Sequence, residues 1–220
     1  MTKFTLKEVK GVNQFIWILI LSTLLITFGF GLITPIFAVF LTRQVTGGTL
    51  AVVGIAEMIY LATKSIFQIP ISLLIDKTPG EKIDFYCMFL GGILITMVPF
   101  LYLFASFPWQ VFLLQFIHGL GAAFDWPAWM GLFTRHIDKN VEAEEWGIYN
   151  SMIGLGAALT GALGGFLAET FGLRRLFILV GIISFIGSSF LFFVYQDLRK
   201  EEKILKAREA RAEEKKLAKA

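Results

Sequence analysis

The chain alternates long apolar runs with short polar breaks, and the runs are too long and too uniform to be the core elements of a soluble fold. A membrane-spanning helix needs about 20 mostly apolar residues at a rise of about 1.5 Å each. Six runs meet that length, at 14–41, 50–75, 84–105, 109–134, 146–171 and 175–196. Helices are expected because hydrocarbon offers no partner for backbone polar groups, and the short alternating segments that a barrel requires are not present. Several runs exceed the minimum, so tilt, kinks or protrusion must absorb the excess. Pro35, Pro70, Pro99 and Pro127 fall inside runs, where kinks can form. The expected fold is all-α, a polytopic membrane protein with a six-helix transmembrane domain over 1–196 and a charged tail over 197–220.

Composition agrees with this pattern: 56% of the 220 residues are apolar, and Phe alone supplies 23. The formal charge of +3 describes the tail more than the body, since nine of the 20 Lys and Arg follow residue 197. No basic surface for nucleic acid is therefore expected. Cys87, the single cysteine, excludes an internal disulfide and offers no metal cluster. The first apolar run is too long for a cleaved secretory signal and is expected to remain. Six spans put both termini on one side. Lys3, Lys7, Lys10, Lys77, Lys82, Arg135 and Lys139 share that side, against Arg43, Arg174 and Arg175 on the other. This bias predicts cytoplasmic termini in a multi-pass protein of the cell membrane.

The chain also repeats itself. Placing Gly54 over Gly147 sets Ile55 over Ile148 and Asp76 over Glu169; one extra loop residue then brings Gly80 to Gly172 and Phe85 to Phe177. The preceding spans each carry a Gly-x-Gly before a proline, GFGLITP at 29–35 and GLGAAFDWP at 119–127. Because the two matched corners fall on opposite sides of the membrane, the pattern predicts inverted three-helix repeats, about 12–105 and 107–196. The plainer alternative is that Gly, acids and bases collect at helix ends.

These residues resemble the N-terminal half of a major facilitator superfamily transporter over about 12–196. The family signature between its second and third spans is a Gly, then Asp-Arg, a Gly and a pair of bases. This chain has Ser72, then Asp76-Lys77, Gly80 and Lys82, with an extra loop residue and Glu81 in place of a base. The stretch from Phe112 through the Gly-rich fifth span to Phe177 is closer to the family. Three departures stand out: Gln115 replaces an Arg found in many proton-coupled members, no Pro lies around Ala162, and a second set of six spans is missing. The resemblance implies a secondary transporter that moves a small solute by alternating access, with protons as the expected coupling ion. It also implies a lipid bilayer and either a second copy or a separate second half as partners.

Polar residues inside the runs are the candidates for chemistry, because a charge at the bilayer centre costs at least about 2.5–3.5 kcal/mol and normally faces protein or water. Glu57, Tyr60, Lys64 and Gln68 fall along one face of the second span. Gln115, His118, Asp125 and Trp129 do the same in the fourth. Glu57 and Asp125 are the expected proton-binding groups, and Lys64 a counter-charge or an anion contact. The alternatives are interfacial solvation of Glu57 and Lys64, and a helix-packing hydrogen bond for His118. Asn150 and Ser151 can touch a ligand or bond helix to helix. Gly147, Gly154, Gly156, Gly161, Gly164 and Gly165 make the fifth span a surface for close helix approach. The tail, rich in helix formers and with Glu202 and Lys206 suitably ordered, is expected to be a solvated helix.

No G-x-x-x-x-G-K-S/T, H-E-x-x-H or G-x-S-x-G occurs, which disfavours ATP-driven pumping and protease chemistry, and no cofactor is expected. Two functions from different classes remain, a half-sized transporter working as a homodimer and a non-transporting scaffold or chaperone of the same fold. A chain that is one half of a longer or two-chain transporter is a third possibility.

Overall fold

The computed structural model describes residues 13–193, so the predicted tail helix and the N-terminal lysines lie outside the described residues. Within that range the chain is all-helical: α1 (Gln14–Ile33), α2 (Phe37–Gln44), α3 (Leu50–Lys77), α4 (Lys82–Tyr102), α5 (Pro108–His136), α6 (Glu142–Phe171) and α7 (Leu173–Ser189). A short 3-10 segment, Thr34–Ile36, joins α1 to α2. Pro35 explains that join, since it has no N–H to give and its ring crowds the preceding turn. Pro70, Pro99 and Pro127 lie inside α3, α4 and α5. The expected helix boundaries hold within about four residues, apart from the end of the last run at 196, which lies outside the described residues.

Five stretches are long and apolar enough to cross a membrane: Gln14–Gln44, Leu50–Lys77, Lys82–Tyr102, Glu142–Phe171 and Leu173–Phe193. The sixth long helix, α5, has 29 residues and carries Gln115, His118, Asp125 and Arg135. Local chemistry sets the ends. The Val52 N–H donates to the Thr49 hydroxyl at the start of α3, and the Gln110 side chain accepts from the Phe107 N–H at the start of α5. Gly80 and Gly172, which the sequence superposes, turn the chain after α3 and α6 with φ of 82° and 79°. Only glycine takes that region without a Cβ penalty.

The helices alternate in direction around two apolar cores. One joins Phe15 and Ile16 of α1, Met88 of α4, Trp129 and Phe133 of α5, and Leu191. The other joins Leu32, Phe40, Tyr102, Val111 and Phe177. Residues 15 and 191 belong to the same core, so the two ends of the described chain lie at one end of the bundle. The main packing is crossed: α1 lies against α6 and α7, α5 lies against α3 and α4, and α4 meets α7. The two Gly-x-Gly segments make this approach possible. A Cβ on Gly31 would overlap Thr160 of α6, and one on Gly119 would come within 2.5 Å of the Tyr60 carbonyl of α3. α3 and α6 are the least enclosed of the apolar spans, with 11% and 17% of their most apolar windows buried.

Candidate functional site

Between the two cores lies an open cavity of about 590 Å³. Its walls come from Thr23, Thr27 and Phe30 of α1, Glu57, Tyr60 and Lys64 of α3, Tyr102 at the end of α4, and Tyr149, Ile153 and Ala157 of α6. α5 contributes Gln115, His118, Asp125 and Trp126. Six of the eight residues that the sequence sets on the polar faces of the second and fourth spans therefore face one space; Gln68 does not line it, and Trp129 is buried in the apolar core instead. The spacing explains this: residues three, four or seven apart stack on one side of a helix. Gly119 then draws α5 onto the Tyr60–Lys64 turn of α3, bringing the two polar faces side by side.

The middle of the cavity is a stack of rings. His118 lies 4.7 Å from Phe30, nearly parallel, and 4.6 Å from Tyr60, tilted by 34°. It is thus held between α1 and α3. Toward the Trp126 end, the Lys64 ammonium sits 5.5 Å from the Trp126 ring centroid, a cation–π contact. Lys64 also acts electrostatically on both Asp125 and His118. At the other end, Glu57 lies within electrostatic reach of Tyr60 and Tyr102. Gln115 is 5% exposed, and its side-chain oxygen has no hydrogen-bond partner among the described residues. Among the same residues, none of Glu57, Lys64 and Asp125 enters an ion pair. Their charges are left to the cavity.

Other candidates lie elsewhere. Asn150 does not line the cavity; its amide donates to the Trp146 carbonyl at 2.9 Å, one turn back in its own helix. Gly154, Gly161 and Gly165 have no neighbour where a Cβ would stand, whereas Gly156 and Gly164 are pressed against Phe28 and the Leu32 carbonyl of α1. The fifth-span glycines are therefore split between an inner packing face and an open outer one. Asp76, Lys77 and Gly80 are exposed at the end of α3, and Lys82 opens α4. The ion pairs at this corner come from residues the motif does not name. Arg135 at the end of α5 holds Asp84 at 2.6 Å and Glu81 at 3.0 Å, with Asp84 1% exposed.

Sequence reasoning passed over the α1 wall, including Thr23, Thr27 and Phe30, and also Tyr102 and Tyr149. Tyr149 had a usable signal, because Ile153 and Ala157 follow it at steps of four and mark the inner face of α6. Among the described residues, no group of three His, Cys, Asp or Glu is arranged to hold a metal.

An open cavity in a helical bundle, walled by spans that cross in pairs, is the context in which the relatives become informative. The chain is 27% identical over 192 residues to an uncharacterized MFS-type transporter of Methanocaldococcus jannaschii, covering 86% of this chain and 47% of that one. It therefore spans about half the length of the curated relative it matches. Its fold superposes on the POT family transporter PepTSo with a TM-score of 0.70 at 14% identity, covering 83% of this chain and 37% of that one. At that identity the likeness concerns the fold. The Major Facilitator Superfamily family model matches residues 19–219, and the chain belongs to this family of transporters, which are not enzymes.

Proposed function

We propose that this chain is a half-sized secondary active transporter that carries a small solute by alternating access, with a proton as the coupling ion and Glu57 and Asp125 as its carriers. The observation that carries the reading is the open cavity into which Glu57, Lys64 and Asp125 project without ion-pair partners. Unpaired charges are costly at membrane depth and persist where a solute or proton uses them. A scaffold has no need of such a space. Tyr60, Gln115 and His118 complete the solute site. Asn150 lies one position from Tyr149 and joins it only if α6 turns.

In this reading the six long helices are six spans in inverted repeats, 12–105 and 107–196, with both termini cytoplasmic in the cell membrane. The crossed packing of α1 on α6 and α7, and of α5 on α3 and α4, supports the repeat. So do the matched glycine corners at Gly80 and Gly172. A second unit then lies against α3 and α6, whose apolar residues Met58, Leu61, Leu155 and Leu159 are exposed. Gly154, Gly161 and Gly165 give that unit a place for close approach. We take the second unit to be another copy of the chain, with a separate second half as the alternative that the 47% coverage keeps open. Two parallel copies bring Asp76 and Lys77 near the start of the partner's α6. Of the two acids at that end, the exposed Glu144 opposes Asp76 in such a dimer, whereas Glu145 is 1% exposed and points into its own chain.

The test is uptake driven by a pH gradient in proteoliposomes. Glu57→Gln and Asp125→Asn should each abolish it while leaving the protein folded. Uptake that survives both substitutions ends the proton-carrier reading.

A further inference from the structure

The charges of the cavity are arranged in layers. Lys64 and Asp125 share one end, where an ammonium and a carboxyl group act on each other from beyond ion-pair distance. Glu57 lies two turns earlier on α3, about 10.5 Å along the axis from Lys64. Of the cavity's lining residues only Lys64 and His118 can be cationic, and neither stands at the Glu57 end. Glu57 is therefore the uncompensated charge. Around it are aromatic rings, Tyr60 and Tyr102, with Phe37 5.6 Å from Tyr102. Gln115 is level with Glu57, one turn before the Tyr60–His118 contact on α5. Its amide is almost fully buried, and rotation about the terminal bond presents its unpartnered oxygen to a donor in the cavity.

From this we infer that the solute is a small organic cation with N–H donors on a flat, apolar body, its charged head held by Glu57 and Gln115 and its body lying among Tyr60, Tyr102 and Phe37. The inference rests on the reading of this cavity as the solute site. A carboxylate and an amide oxygen are both acceptors, and they match an ammonium, amidinium or guanidinium head. Aromatic faces favour the same charge, since the ring quadrupole attracts cations and repels anions. The protein already uses this preference once, where its own Lys64 rests on Trp126. An anionic solute would meet the uncompensated carboxylate at one end and, at the other, a lysine that rests on Trp126 with the Asp125 carboxyl group nearby.

Three probes of one shape and different charge separate the cases: phenethylammonium, phenethyl alcohol and hydrocinnamate. Equilibrium dialysis against the full chain in nanodiscs should rank them cation first and anion last. Glu57→Gln should weaken phenethylammonium about tenfold or more, since the acceptor loses its negative charge, and leave the alcohol within about twofold. Glu57→Asp should recover part of the loss, which a folding defect would not allow. Tighter binding of hydrocinnamate, no binding of phenethylammonium, or indifference of phenethylammonium to Glu57→Gln overturns the inference. The transport reading fails separately. Cation binding that needs Glu57 but never leads to uptake in proteoliposomes supports this inference and removes that one. Proton-driven uptake of hydrocinnamate that Glu57→Gln abolishes does the reverse.

Discussion

The imidazole of His118 lies against the ring of Phe30 with centroids 4.7 Å apart and planes 17° from parallel. This contact ties α5 to α1 across the cavity, and Tyr60 closes the other side. The ring, more than its proton, is what the position requires. His118→Phe should keep both the fold and the uptake. His118→Ala should lose about 0.5–1.5 kcal/mol for each ring pair removed, read as earlier thermal unfolding in detergent. Uptake lost in the Phe variant at unchanged stability would show a proton-handling role instead.

Two neighbouring glycines should behave oppositely. A Cβ on Gly164 overlaps the Leu32 carbonyl, a backbone atom that cannot swing aside, so Gly164→Ala should cost about 1–3 kcal/mol as α1 and α6 are forced apart. Gly161 has open space at that position, and Gly161→Ala should leave the monomer's unfolding unchanged or slightly improve it through helix propensity. Thermal unfolding of the two purified variants checks the contrast.

Arg135 is the cation that Asp84 depends on. Removing one partner of a buried pair typically costs about 3–5 kcal/mol. Arg135 is 41% exposed, so solvent screens the pair and Arg135→Gln should cost less, about 1–3 kcal/mol. Adding Asp84→Asn to Arg135→Gln should restore part of the loss, because no charge is then stranded in the core. A double variant as unstable as the sum of the two singles would show that the pair is uncoupled.

The proposed dimer predicts contacts that one chain cannot make. With Cys87→Ser as background, single cysteines on the outer faces of α3 and α6 should crosslink between chains in membranes, for example at Met58 and Leu159. Gly161→Leu should suppress those crosslinks, since bulk replaces the close-approach site. One chain per liposome that still transports would exclude the dimer as the working unit.

Much of the fold was legible because the bilayer constrains it so strongly. Length, hydropathy and proline position place helices to within a few residues with no knowledge of packing. The cavity was legible on α3 and α5 because charges that recur at helical spacing, at that depth, mark a face turned toward protein or water. It was not legible on α6, where Asn150 drew attention as the polar side chain. One residue is about 100° of helix rotation, so choosing Asn150 over Tyr149 selected the neighbouring face. The corner motif was half legible: Gly80 turns the chain as expected, but Glu81 and Asp84 hold Arg135, and nothing in the local sequence joins Asp84 to a residue some fifty positions away. The open face of α6 was foreseen as a packing surface, yet the sequence does not distinguish Gly161 from Gly164, which differ only in which side of the helix α1 approaches.

The scant enclosure of α3 has a mechanical side. One face of this helix carries Glu57, Tyr60 and Lys64, and another presents Met58, Ile66 and Ile69 to whatever surrounds the chain. Nothing in the described chain braces that helix from behind. The spacing between the acid of α3 and the amide of α5 is thus set partly by lateral pressure from outside the fold. In the proposed assembly the fit of the second unit becomes an input to the proposed solute site, much as a loosely backed piano key answers to the weight of the hand.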